Sequence, residues 1–294
     1  MIRGLYTAAA GMVAQQRKHD TVTQNIANLN TNGYKQVESV TRSFPEMLLS
    51  RSGDSSSSGS TVIGRLNTGV FAEESMFMNV QGDLTPSDKA TDFALYSDLT
   101  VTDPNTGEAV SFDASGKYVS DNGDVIYKPQ AFFTVQDDEG NVRYTRDGSF
   151  QVDAEGRLLS STGFEVLSDN GEPIRLTGTL NQFKVDEQGQ LVNPLTGEIT
   201  GERLGITIVD NPYQLVREGN GNYVLSSESA GSARLLGAED RVQVKQGFLE
   251  GSTVDSAQSM VDLTAALRAY EANQKVIQFY DKSLDKAVNE IGRV

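Results

Sequence analysis

The chain has 294 residues, a net charge of −15, 37% hydrophobic residues, no cysteine and one histidine, His19. That length supports a sizeable core and about two domains, while the missing thiols exclude disulfides, thiolate metal sites and cysteine nucleophiles, and a lone histidine excludes zinc motifs that need two. Residues 1–44 hold five Lys/Arg against two Asp/Glu and residues 245–294 six against seven, leaving 14 against 31 between them, an acidic middle that repels nucleic acid and anionic lipid.

The first element is helical. Leu5, Met12, His19 and Ile26 stand seven apart, with Ala8, Gln15, Val22 and Leu29 three residues later, a 3-4 spacing that puts all eight on one stripe. Arg3 followed by the uncharged stretch Gly4 to Gln16 faintly imitates a signal peptide. Thr7, Gly11 and several alanines dilute its apolar part, and it runs in phase into the longer helix, so it is expected to belong to the mature protein. No run of about 18 apolar residues is available to span a membrane. The helix is expected to stop near Asn30, where Asn28, Asn32 and Gly33 supply turn formers and a left-handed cap. Residues 1–44 form this first segment.

Residues 45–64 read as a Ser/Gly-rich flexible linker, because Ser50 to Ser60 lacks any apolar residue. From 65 to 244 the pattern becomes short alternating runs punctuated by turn formers. Phe132 to Val135 leads to a turn at Asp137 to Asn141; Val142 to Arg146 then leads to Asp147-Gly148, where a type I′ hairpin into Ser149 to Val152 is expected. Turns at Glu155-Gly156, Thr162-Gly163, Asp169 to Gly171, Gln188-Gly189, Thr196-Gly197 and Asn220-Gly221 continue an antiparallel meander. Asp137 to Gly140 and Asp103 to Gly107 lack the spacing of calcium loops and read as turns.

The last segment, 245–294, is again helical. Leu263, Tyr270, Ile277, Leu284 and Ile291 repeat every seven residues, partnered three residues earlier by Met260, Leu267, Gln274, Asp281 and Val288. The fold class is therefore α+β, with coiled-coil-like N- and C-terminal helices packed together around their seams and an antiparallel all-β middle domain. Neither helix has a core of its own, so each seam is expected to bury against the other helix or a neighbouring subunit.

Three stretches carry a family resemblance. Thr7 to Met12, Gln15-Gln16, Asp20 and Asn25 to Lys35 resemble the N-terminal signature of bacterial flagellar basal-body rod and hook proteins. Phe132-Phe133, Tyr144 to Phe150 and Gly156 to Leu158 resemble a hairpin of the hook and distal-rod members, and Val244 to Glu250, Val254 and Arg268 to Asn273 resemble the C-terminal signature. The resemblance implies a structural axial subunit that is exported unfolded, without a cleaved signal peptide, through the flagellar type III apparatus. It implies polymerisation with itself and with other rod and hook proteins in the basal body, outside the cytoplasmic membrane, at the distal rod or rod–hook junction. A hook subunit is the alternative within the family. No enzyme activity, cofactor, metal, nucleic acid, membrane insertion or small-molecule substrate is expected.

The subunit interface is expected at Leu5, Met12, His19, Ile26, Asn28, Asn30, Thr31, Gly33, Tyr34, Leu263, Leu267, Tyr270, Ile277, Leu284 and Ile291. The chain departs from the family pattern in an insertion at about 95–130 and in reading Ser252-Thr253-Val254 where Ser-Asn-Val is usual. From another class, a secreted β-domain adhesin or binding module would leave both terminal helices without a purpose, and a carboxylate hydrolase would need two close acids that no spacing singles out.

Overall fold

A computed structural model describes residues 2–51, 61–103, 107–113, 115–176, 184–192, 199–226, 231–237 and 240–291. The chain divides into two compact units. The first comprises Met1–Ala27, Val37–Met76 and Asp255–Val294; the second comprises Asn28–Gln36 and Phe77–Val254.

In the first unit, helix α1 spans Ile2–Ala27 and helix α2 spans Ser256–Lys286. The Asp255 carboxylate caps α2 by accepting from the Gln258 amide at 3.0 Å. The two helices run antiparallel: Gly4 meets Tyr280, Gly11 meets Asn273, and Lys18 pairs with Asp262 at 3.7 Å. Small residues set the contact. Ala8, Ala14, Thr21, Val22 and Asn25 are buried on α1, and Ser259 and Ala266 on α2. A methyl group on Gly11 would lie 3.0 Å from the Asn273 amide nitrogen, so the glycine permits this approach.

Of the expected stripe on α1, Ala8 and Val22 are buried and Gln15 is half-buried. Leu5, Met12, His19 and Ile26 are half-buried, flanking the row Gly4, Gly11 and Lys18 that faces α2; Asn25, next in that row, exchanges hydrogen bonds with the Val37 backbone. On α2 the row Leu263, Tyr270, Ile277 and Leu284 is half-buried as expected of one side of a seam. Its partners, however, are Ser259, Ala266, Asn273 and Tyr280. Met260, Leu267, Gln274, Asp281 and Val288 are exposed, Leu267 by 42%. The Ile291 side chain lies outside the described residues.

The remainder of this unit is β-structure. Thr41–Ser43 pairs with Val70–Ala72, and Thr7 Oγ1 donates to the Thr68 carbonyl at 2.9 Å to fix the ribbon on α1. Met47–Arg51 pairs with Thr61–Leu66 in register Met47 to Leu66, with an irregularity at Leu49/Ser50. The expected linker over 45–64 is thus, at both ends, strand. Its tip, residues 52–60, lies outside the described residues. The hairpin forms because Met47-Leu48-Leu49 and Val62-Ile63 are strand formers on either side of the serine run.

The second unit is built on the strand Gln130–Gln136. It pairs antiparallel with Ile206–Val209 over residues 130–133, with Val142–Thr145 over 133–136, and with Glu165–Val166 at its end. Both faces are buried and the period of two sorts them. Ala131, Phe133 and Val135 join Phe93, Leu95, Phe150, Leu158, Ile174 and Ile206 in the main core; Phe132 joins Val209, Leu215 and Tyr223 in a second cluster. The turns share one grammar, Asp/Ser-x-x-Gly-x, seen at Ser120–Asp124, Asp137–Asn141, Asp153–Arg157, Ser160–Phe164, Ser168–Glu172 and Asp186–Gln190. The first residue bonds the fifth, and the glycine amide bonds back to the first. Gly140, at φ +86°, takes the left-handed conformation that such a turn requires. The expected turn at Thr196-Gly197 lies outside the described residues.

The Asp147-Gly148 hairpin does not form. Val142–Thr145 pairs with Asn222–Leu225 on its far side, and Gln151–Val152 pairs with Leu158–Leu159. Gly148 keeps a negative φ; its carbonyl accepts from the Phe93 amide at 2.9 Å, and a methyl group there would collide with the Phe93 carbonyl. Close approach, not turn geometry, selects this glycine. The insertion at 95–130 contributes the ribbon Lys117–Val119 with Val125–Tyr127, held by the Lys117 ammonium 4.5 Å above the Tyr213 ring.

The unit boundaries also differ from those read in the sequence. Residues 37–76 go with the helices, because Val70–Ala72 pairs with Thr41–Ser43 there. Residues 245–254 go with the β unit, because Phe248–Glu250 pairs with Leu84–Pro86.

Candidate functional site

The segment that follows α1 folds as two short turns. The Thr31 amide donates to the Asn28 carbonyl at 3.2 Å, and the Tyr34 amide to the Thr31 carbonyl at 3.3 Å. Gly33 stands at φ +67° with its amide donating to the Glu250 carbonyl at 2.8 Å. A methyl group on it would lie 2.7 Å from Arg146 Cβ. Beyond it, Thr253 ties this segment: its amide donates to the Tyr34 carbonyl at 3.0 Å, and its hydroxyl accepts from the Gln36 amide at 2.8 Å and donates to the Tyr34 carbonyl at 3.5 Å.

These contacts deliver Lys35 into the interior. Its ammonium reaches Glu250 Oε1 at 2.6 Å and the Val80 carbonyl at 2.5 Å. Arg146 reaches the other carboxylate oxygen, Oε2, through Nε at 2.7 Å and Nη2 at 2.6 Å, and donates to the Ala131 carbonyl at 2.6 Å. The Gly82 amide completes the carboxylate shell at 2.8 Å. Lys35, Arg146 and Glu250 are 2%, 3% and 1% exposed.

Two cations share one anion in this dry site. Burial pushes the Glu250 carboxyl upward, but Arg146 and Lys35 outweigh it and hold the group below the ordinary carboxylate range. Burial, together with repulsion from Arg146, lowers Lys35 to about 8 against the pull of Glu250. Removing one partner of such a buried set costs about 3–5 kcal/mol, since it strands a charge.

Beside the cluster, the Arg217 guanidinium stacks on Tyr34 at 4.4 Å, Phe77 at 4.8 Å and Tyr223 at 5.5 Å, and donates to the Lys35 carbonyl at 3.3 Å. Burial of the Tyr34 hydroxyl raises its pKa, with Arg217 opposing.

The expected interface residues fall into two groups. Gly33 and Tyr34 are buried within the single chain, Asn28 and Thr31 are half-buried beside them, and Asn30 is exposed. The helix positions are those described above. Spacing does not mark Lys35, Arg146, Glu250 and Arg217 as a site, although Lys35 and Glu250 end motifs the sequence shows and Arg146 lies within one. Among the described residues, no three His, Cys, Asp or Glu side chains are placed to hold a metal ion, and His19 lies beside Asp20 at 3.4 Å. Among them, too, no helix is long and apolar enough to cross a membrane.

Comparison with known proteins gives the same three stretches. Residues 5–35 match a family described as flagella basal body rod protein, 126–193 the flagellar hook protein FlgE/F/G D1 domain, and 245–290 the flagellar basal body rod FlgEFG protein C-terminal. The flagellar hook-basal body complex protein FlhO of Bacillus subtilis is 35% identical over 296 residues, covering 100% of both chains. The chain belongs to the flagellar basal-body rod and hook family. Flagellar basal-body rod proteins FlgG of Borreliella burgdorferi and Bacillus subtilis are each 29% identical, covering 98% of this chain. Each of the three matched regions supplies one charge to the buried cluster: Lys35 ends the first match, Arg146 lies in the second and Glu250 in the third.

Proposed function

We propose that the chain is a structural subunit of the flagellar shaft, polymerising with itself and other axial proteins at the distal rod or rod–hook junction to carry torque. The observation that carries this is the apolar surface left open on the helical unit. Val261, Val276 and Phe279 are exposed on α2, Phe279 by 69%, and with Ala265 and Ala272 they recur at helical spacing on the side opposite Ala266. Leu48, Val62 and Ile63 are likewise exposed on the 47–66 hairpin. A two-stranded ribbon with such side chains in water is marginal on its own, and patches of this kind mark surfaces for partners.

A shaft built from one chain needs two different surfaces that meet head to tail without closing. The open face of α2 and the row Leu267, Gln274 and Asp281 beside the α1 contact supply candidates, packed in a coiled-coil-like manner across subunits. In this reading the chain is exported unfolded through the type III apparatus and functions outside the cytoplasmic membrane. The names of the full-length relatives favour a rod or rod–hook position over the hook itself. Negative-stain microscopy of the concentrated full chain tests the reading: rods or tubes are expected, and dispersed monomers at every concentration contradict it.

A further inference from the structure

Glu250 is the only anion paired in the cluster among the described contacts, and it touches three parts of the chain at once: Lys35, Arg146 and the Gly82 amide. Take it away and Lys35 would enter the same pocket as a second cation beside Arg146, with the Val80 carbonyl as its remaining partner. Burying a charge without a counter-charge is prohibitive, so segment Asn28–Gln36 would stay out. Several of the segment's other ties run to the same place, since the Gly33 amide bonds the Glu250 carbonyl and Tyr34 and Gln36 bond Thr253; Arg217 and the Met78 amide hold it from outside that stretch.

From this dependence we infer that Glu250 is a latch: segment 28–36 stays docked on the β unit only while the Glu250 carboxylate, carried by strand Phe248–Glu250 on its partner Leu84–Pro86, neutralises Lys35. The two stretches of chain next to the helices, one following Ala27 and one preceding Ser256, are thereby held together at one carboxylate. Without it the sheet around Gln130–Gln136 stays formed while segment 28–36 opens. The latch depends on charge balance and not on bulk, because the Glu250 shell is made of donors to its two oxygens.

Hydrogen–deuterium exchange on the full-length chain at neutral pH tests this with Glu250→Gln, Lys35→Met and the double variant. Glu250→Gln is expected to speed exchange in peptides covering 28–36 at least tenfold, while 131–136 and 206–209 keep wild-type rates. Adding Lys35→Met is expected to slow 28–36 part of the way back, because it removes the one of the two stranded cations that the segment itself carries, while Arg146 keeps the Ala131 carbonyl. If Glu250→Gln alone fails to fold, the double variant is expected to recover a folded chain. Wild-type exchange at 28–36 in Glu250→Gln overturns the latch. So does a double variant that exchanges as fast as the single one or stays unfolded, since the cluster would then act only as general packing.

Discussion

Lys35 and Glu250 stand 215 residues apart in the chain and meet at 2.6 Å with both side chains almost wholly out of water. Arg146 binds the opposite edge of the same carboxylate. Three sequence signatures that lie far apart therefore have one physical meaning: each brings a charge that the interior accepts only with the others present.

The titration of Lys35 gives a signed prediction. Its folded pKa, about 8, lies below the ordinary lysine value, so between those limits the unfolded chain binds more protons than the folded one. Stability from this group must rise with pH across that window, and its penalty is fully present below pH 8. Lys35→Met has no such group. The wild type is expected to gain on Lys35→Met from pH 8 to 10 in denaturant unfolding measured at each pH; a constant difference would contradict the assignment.

Gly33→Ala should cost about 1–3 kcal/mol. The φ of +67° is strained for any side chain, and the methyl group would press on Arg146 Cβ at 2.7 Å. Thermal unfolding measures it, and an unchanged melting temperature would be inconsistent with the buried position of the turn.

Two other glycines separate two causes. Gly163 has φ +88° with nothing within 4 Å of an added methyl, so Gly163→Ala should lose about 1–2 kcal/mol from backbone strain alone. Gly148→Ala would drive into the Phe93 carbonyl at the edge of the main core, and should cost about 3 kcal/mol or more. Chemical denaturation of both variants checks the order.

Much of this architecture is legible in the sequence, and the misses have identifiable causes. The heptads mark both helices, and the Asp/Ser-x-x-Gly turns mark the β middle, because both patterns are local. Heptad spacing marks the large residues Leu5 and Met12, whereas the close α1–α2 approach is made at Gly4 and Gly11, which an apolar period passes over. Large side chains on the flanks would hold the helices apart; small ones let them close. Asp147-Gly148 looks like a hairpin because dipeptide chemistry cannot report that Phe93 lies against the glycine. The charge cluster is invisible to spacing, since Arg146 and Glu250 are 104 residues apart and only the fold brings them together.

The helix phase yields a prediction of its own. Leu267→Asp and Phe279→Asp place charges on exposed positions, so each should leave the melting transition of the monomer within about 0.5 kcal/mol of wild type. Ala266→Asp buries its charge between α1 and α2 and should destabilise the helix pair by several kcal/mol. Circular dichroism melts distinguish the two classes. Microscopy of the exposed-site variants should then reveal lost polymerisation despite intact folding.

The most direct measurement for the structural role is quantitative mass spectrometry of hook–basal bodies purified from cells that express this chain. A shaft subunit predicts that the protein copurifies at a fixed ratio to other axial components and that its deletion leaves basal bodies truncated before the hook. Its absence from purified basal bodies, with hooks assembled normally in the deletion strain, would contradict the account.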